Sequence, residues 1–240
     1  MSAARGFRIA TYNIHKCRGM DRRVDPGRIV AVLRELDADV LALQEVLGSG
    51  GGDDDHAAYI AAEMKLHSSL GENRRHQGGA YGNLTLSRAA PHAVRNFDIS
   101  VRGREPRGCL RVDLGVAGRM LHVFNVHLGT SFRERREQAQ ALLSPEILLR
   151  PELAGGRILL GDFNEWMRGP ATQSLGAAMR GADVKLYLGR RRTYPGLLPL
   201  LHLDHVYHDP GLHLERLELH DDRRARMASD HLPLVAEFRW

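Results

Sequence analysis

Lysine is nearly missing from this chain: only Lys16, Lys65 and Lys185 stand among 34 basic residues. Cysteine is rarer still, with Cys17 and Cys109 alone, so a disulfide framework is excluded and a reducing compartment is the expected setting. Aromatic residues make up 6%, few for the stacking platforms that hold several nucleotides of single strand. No apolar run approaches the roughly 20 residues of a membrane-spanning helix. The longest, Val40 to Leu43 and Leu197 to Leu201, are strand- or loop-sized, and no transmembrane segment is expected. The opening Met1 to Gly6 leads directly into Phe7 to Tyr12 without the apolar region of a secretory signal, so export is not expected and a cytoplasmic location is. A Gly-x-Ser-x-Gly elbow, a Walker A loop and a Rossmann glycine fingerprint are all absent.

What remains is an ordinary folded composition: 240 residues, 43% hydrophobic, 26% charged, net charge +5. That excludes disordered, collagen-like and coiled-coil classes. With no linker and no repeat, one domain over 1–240 is expected, and a monomer. Arginine forks suit phosphate, but the arginine bias as a whole is ascribed to base composition, and +5 does not establish nucleic-acid binding.

Phe7 to Tyr12 reads as a strand. Val24 to Leu36 spaces Ile29, Val30, Leu33 and Leu36 at helical intervals behind an Asp25-Pro26 start. Val40 to Gln44 reads as a second strand delivering Glu45 at its end. Gly48 to Asp55 is expected to be an acidic surface loop, followed by a helix from His56 to Met64. Four strands are expected at Leu84 to Ser87, Ala93 to Asp98, Cys109 to Leu114 and Met120 to Val126, with Val116 to Arg119 a hairpin turn. A charged helix runs from Phe132 to about Leu149 with a break at Ser144-Pro145. Arg157 to Gly161 is a buried strand ending in Asp162, and Ala171 to Met179 a short helix. Strands near Asp183 to Leu186, Asp204 to Tyr207, Leu212 to Leu219 and Leu232 to Arg239 complete two sheet layers covered by helices. The fold class is an α/β four-layer αββα sandwich with two mostly antiparallel mixed sheets.

Polar groups recur at the rims of apolar strands: Asn13, Gln44-Glu45, Asn125-Val-His127, Asp162-Phe-Asn164, Asp204-His205 and Ser229-Asp-His231. Each alone reads as a turn or cap; together they point to one cleft. Residues two apart on a strand share a face, so Asp162 and Asn164 can both face the cleft while Phe163 faces the core. The oxygen donors of Glu45, Asp162, Asp230, Asn13 and Asn164 suit Mg²⁺ or Mn²⁺. Zinc is not expected: neither cysteine has a partner, and His202-x-x-His205 beside Asp204 reads as a strand rim. The basic runs Arg133-Glu-Arg-Arg136 and Arg190 to Arg192 read as solvated faces, as do His15, His56, His67, His92, His208 and His220 as plain surface or core residues.

The ordered series Thr11-Tyr-Asn13, Leu43-Gln-Glu45, Gly82 to Ser87, Asn125-Val-His127, Gly161-Asp-Phe-Asn164, Leu203-Asp204 and Ser229-Asp-His231 resembles the endonuclease/exonuclease/phosphatase superfamily of DNase I-like phosphoesterases. Glu105-Pro-Arg-Gly108 and Thr193-Tyr-Pro195 further resemble a bacterial branch of metal-dependent hydrolases. The resemblance implies that Glu45 holds a divalent cation with Asn13, and that Asp230 ligates it or a second ion. It implies that Asp162 orients or deprotonates water and Asn164 donates to a phosphate oxygen. It further implies that His231 serves as donor or acid/base with Asp204 fixing its tautomer, and that His127 donates to the leaving group or stabilises charge. A tyrosine takes that last place in abasic-site endonucleases, which disfavours that activity. Arg107 is a secondary candidate for a phosphate clamp, and Asn83 an architectural residue. The expected function is hydrolysis of a phosphodiester or phosphomonoester by direct in-line attack of water. The phosphate ester could belong to nucleic acid, a phospholipid headgroup or a small phosphorylated molecule. The alternatives are a nuclease on DNA or RNA and a non-catalytic binding or scaffold domain.

Overall fold

The chain opens with strand β1 (Phe7–Asn13), helix α1 (Pro26–Leu36) and strand β2 (Val40–Leu47), the two strands parallel with Asn13 beside Gln44. The helix starts where expected: Asp25 accepts from the Arg28 amide at 3.0 Å and Pro26 fills the first turn. The computed structural model describes residues 6–48, 55–76, 78–182, 184–189 and 191–240. Most of the acidic loop after Gly48, and Arg190, therefore lie outside the described residues.

Helix α2 (His56–Met64) leads to β3 (His67–His76), β4 (Gly79–Ser87), β5 (Pro91–Asp98), β6 (Gly108–Val116) and β7 (Arg119–His127). Then come α3 (Phe132–Leu142), β8 (Gly156–Asp162), α4 (Pro170–Ala178), β9 (Arg180–Gly181) and α5 (Val184–Leu188). β10 (Asp204–His208), β11 (His213–Leu219), α6 (Arg223–Ala228) and β12 (Leu234–Arg239) close the chain. The strands form two six-stranded sheets, ordered β11-β12-β1-β2-β4-β3 and β5-β6-β7-β8-β10-β9. Each has one parallel pair at its centre, β1/β2 and β7/β8, and antiparallel neighbours elsewhere. Helices flank both sheets, as the expected αββα layering requires. Among the described residues no helix is long and apolar enough to cross a membrane.

Strand alternation sorts the core. Leu110, Val112, Leu121, Val123, Ile158, Leu160 and Val206 join Ile9, Val40 and Ala42 in the apolar layer between the sheets. The opposite residues of the second sheet, Phe124, Val126, Leu159 and Tyr207, pack with Ala139, Leu142 and Leu175 of α3 and α4. The hairpin turn is where expected, with Ala117 and Gly118 both at positive φ.

Four expectations need correction. β3 carries almost no apolar residues and so gives no strand signal; it is an edge strand held by β4. Of the segment expected as a strand near 183–186, Asp183 lies outside the described residues and 184–186 belong to α5, too short to show a helical period. The charged helix ends at Leu142, and 144–149 fold as turns closed by Leu149 N–H to Ser144 C=O. α6 lies in a tail whose pattern suggests only strands, started by Asp222 accepting from the Ala225 amide at 2.7 Å.

The run at Arg133 to Arg136 is not wholly solvated. Arg135 is buried and pairs with buried Glu165 at 3.1 Å, and Glu165 also accepts from the Thr172 amide at 2.7 Å. This ties α3, α4 and the segment after β8 together. Removing one member leaves a buried charge uncompensated, so Arg135→Met is expected to cost about 3–5 kcal/mol and lower Tm on the order of 10 °C. Thermal unfolding of the variant checks this; an unchanged Tm refutes it.

Candidate active site

Pairing register lines up the polar rims. His127, Asp162 and Asp204 are direct neighbours across β7, β8 and β10, so their side chains share the face turned toward the first sheet. Asn13 and Gln44 are neighbours across β1 and β2 on the facing sheet. Gly161 permits this row: its φ is +147°, and a Cβ there would lie 1.9 Å from the Val126 carbonyl oxygen, which excludes any side chain.

Glu45 does not sit at a strand end, as expected, but within β2, where the pairing with β4 slips between Leu43 and Val46. Its φ is +57°. The bulge lets consecutive residues serve one region: Gln44 turns between the sheets and Glu45 reaches the same centre as Asn13. Gln44 donates to Asn125 Oδ1 at 2.8 Å, and Asn125 donates to the Leu43 and Leu84 carbonyls. Asn83 donates to the Gly108 and Asn125 carbonyls. These buried amides fasten one sheet to the other. Asn164 also holds a left-handed backbone, φ +50°; such conformations recur at functional sites.

At the centre is the Asp162 carboxylate, 1% exposed. Its Oδ1 accepts from the Asn164 amide at 2.8 Å. Its Oδ2 accepts from Asn13 Nδ2 at 3.0 Å and is approached by His127 Nε2 at 3.4 Å and His231 Nε2 at 3.5 Å. Asn13 Nδ2 also meets Glu45 Oε1 at 3.2 Å. Asp204 Oδ2 pairs with His231 Nδ1 at 3.0 Å, while Asp204 Oδ1 is buried without a partner. Asp230 joins through Ser229, whose hydroxyl donates to the Asn13 carbonyl at 2.7 Å. The structure thus brings Asn13, Glu45, His127, Asp162, Asn164, Asp204, Asp230 and His231 together, whereas His205 turns to the other face of β10 and meets the Glu165 carbonyl.

The two histidines differ in charge. Arg107 donates to His127 Nδ1 at 3.1 Å; because arginine cannot accept, the His127 proton belongs on Nε2, which lies 3.4 Å from Asp162 Oδ2 and 3.1 Å from Asn164 Nδ2. Burial, reinforced by Arg107, pushes this imidazole down to about 4, so it is neutral at pH 7. Arg107 is buried, its other contact being Glu105 at 3.0 Å. At His231, burial opposes charge, but Asp204, Asp162 and Asp230 outweigh it and raise the imidazole to about 10. A raised folded-state pKa stabilises the fold fully below the unfolded value near 6.5 and loses that contribution as pH climbs toward 10. An NMR titration of the His231 ring in EDTA is therefore expected to show no midpoint between about pH 5.5 and 8.5; a midpoint near 6.5 contradicts the pairing.

Three neighbours carry no site role in the sequence reading, although Tyr194 stands in the Thr193-Tyr-Pro195 motif. Lys16 Nζ lies 2.5 Å from Glu45 Oε2 and 5.8 Å from the Tyr81 ring centroid. His15, expected as a plain surface or core residue, lies 3.5 Å from Asp230. The Tyr194 ring sits 5.0 Å from that of His231. His15 to Cys17 all have positive φ, and this turn carries Lys16 back to β2; no periodic signal announces it. Burial would raise the Glu45 carboxyl, yet His127, Lys16 and the Asn13 amide hold it down to about 2.

The donor set fits a divalent cation. Glu45, Asp162, Asp204 and Asp230 place four carboxylates in one small region against Lys16, His231 and Arg107, with Lys16 already on Glu45. Oxygen donors predominate, as hard cations require. Ligand atoms of Asp162, Asp204 and His231 also lie within 4.8 Å of one another, but Asp204 and His231 are spent on each other.

Comparison with known proteins agrees. The profile of the Endonuclease/Exonuclease/phosphatase family matches residues 10–231. The YbhP protein of Escherichia coli (strain K12) is 34% identical over 248 residues, covering 96% of this chain and 95% of its own. Among solved structures, an endonuclease/exonuclease/phosphatase from Beutenbergia cavernae superposes with TM-score 0.75 at 24% identity, covering 98% of this chain and 72% of that one. The mannosyl-6-phosphatase Bt3783 of Bacteroides thetaiotaomicron gives TM-score 0.81 at 18% identity, over 98% of this chain and 100% of that one.

Proposed function

Since the chain belongs to the endonuclease/exonuclease/phosphatase family, we propose that it is a divalent-metal-dependent phosphoric ester hydrolase that delivers water directly in line to phosphorus. The observation that carries this reading is the Asp162 carboxylate ringed by Asn13, His127 and His231 beside an ionised Glu45. The reading takes residues 1–240 as one functional unit acting as a monomer on a phosphate ester.

Glu45, with Asn13 and Asp230, would hold Mg²⁺ or Mn²⁺, which when bound polarises a phosphoryl oxygen and offsets developing charge. Asp162, fixed by four nitrogen neighbours, orients the attacking water and takes its proton. His231, positively charged and steered by Asp204, donates to a non-bridging oxygen of the five-coordinate phosphorus. Asn164 offers its amide to the same group; its Nδ2 currently meets the Leu128 carbonyl at 2.9 Å. Neutral His127 presents Nε2–H to the oxygen that departs, with Arg107 holding the tautomer from behind. Arg107 is thereby a positioning residue in this scheme, engaged on both sides.

The test is hydrolysis by purified protein of plasmid DNA, single-stranded RNA, a chromogenic phosphodiester, sugar and inositol phosphates and phospholipids, each with Mg²⁺, Mn²⁺ or EDTA. Turnover that requires metal supports the reading and assigns the ester class. No turnover on any member favours the binding-domain alternative.

A further inference from the structure

The opposite face of β10 carries a second feature. Along that strand Asp204 and Val206 turn between the sheets, whereas His205 and Tyr207 turn outward. There a cavity of about 620 Å³ opens against α4, the segment after β8 and the β9–β10 edge, within the size range of small-molecule sites. Its lining includes Trp166, Arg168, Thr172, Arg192, His202 and His205, and no carboxylate among the described residues.

His202 is 8% exposed, and neither of its ring nitrogens has a hydrogen-bond partner. Buried polar atoms are ordinarily satisfied; both of these nitrogens are closed to solvent, so a partner reaches one of them only as the ring turns toward the cavity. Burial, with His205 and Arg192 nearby, pushes the His202 imidazole down to about 3. The ring is neutral, with one N–H to give and one lone pair to fill. A hydroxyl can pair with either nitrogen, though not with both at once. Arg168 is exposed and Arg192 half-buried, with only Arg192 Nη1 committed to the Gly189 and Arg191 carbonyls. Two guanidinium groups with no acid among the described lining residues call for an anion. Trp166, half exposed, adds a flat wall for the face of a ring.

We propose that this cavity is a second ligand site, separate from the catalytic row, for a phosphorylated, hydroxylated ring compound: anion on Arg168 and Arg192, hydroxyl on His202, ring face on Trp166. The chemistry is shared by nucleoside monophosphates and sugar phosphates. The site lies close to the catalytic row along the chain: His202 is two residues from Asp204 and Trp166 two from Asn164, each a reach of roughly 7 Å at most. His205 further clamps the Glu165 carbonyl at 2.7 Å.

Isothermal titration calorimetry in EDTA, where turnover is suppressed, tests this with AMP, glucose 6-phosphate and inorganic phosphate as probes. At least one ester is expected to bind saturably, one per chain, more tightly than inorganic phosphate, in wild type and in Asp162→Asn alike. Whichever ester binds better identifies the source. His202→Phe and the exposed-site variant Arg168→Ala are each expected to weaken that binding at least about tenfold. No heat from either ester up to about 10 mM overturns the proposal. So does binding untouched by Arg168→Ala, or inorganic phosphate binding as tightly as both esters. Because the readout is binding without turnover, failure here and failure of the hydrolase reading are separate results.

Discussion

Asp162→Asn is expected to lower metal-activated turnover roughly 10³-fold, the midpoint of what a positioned general base contributes, with the folded state retained. The carboxylate faces three nitrogens, Asn13 Nδ2, His127 Nε2 and His231 Nε2. An amide in its place has lost the proton-accepting capacity and the charge that favours the His231 imidazolium. The loss therefore falls on kcat, and substrate binding, shared with Asn164 and His231, changes less. Steady-state kinetics beside a circular dichroism spectrum and Tm check both halves. Unchanged kcat in a folded variant removes Asp162 from the mechanism.

The second large effect is at Glu45. Glu45→Gln is expected to shift the Mg²⁺ or Mn²⁺ concentration needed for half-maximal turnover upward by at least on the order of 100-fold, since even residues that merely support ligands commonly cost 10–100-fold in metal affinity. The variant keeps the bulge and the Asn13 contact geometry but removes the negative charge that Lys16 now balances at 2.5 Å. A wild-type metal titration curve in this variant contradicts the assigned role.

Much of this arrangement is legible in the amino-acid sequence. The β1-α1-β2 opening announces itself through Asp25-Pro26 and the spacing of Ile29, Val30, Leu33 and Leu36, and the apolar runs before Asp162 and His127 place both residues on strand rims. What the one-dimensional pattern cannot carry is register. That His127, Asp162 and Asp204 form a single row follows from pairing across β7, β8 and β10, which no local motif encodes. Glu45 is expected at a strand end because the apolar run stops at Leu43; β2 continues to Leu47 because a bulge absorbs the polar pair. Lys16 is invisible in the sequence because three successive positive-φ residues bend the chain back, a conformation for which His15, Lys16 and Cys17 give no compositional warning. Arg135 looks solvated within a charged run, and only the packing of α3 against Glu165 turns it inward.

The most direct test of the central claim, that this centre passes water straight to phosphorus, is the stereochemical course at a chiral phosphorothioate ester of whichever class the substrate panel identifies. A single displacement oriented by Asp162 predicts inversion of configuration. Retention would mean a covalent enzyme intermediate and would contradict the account.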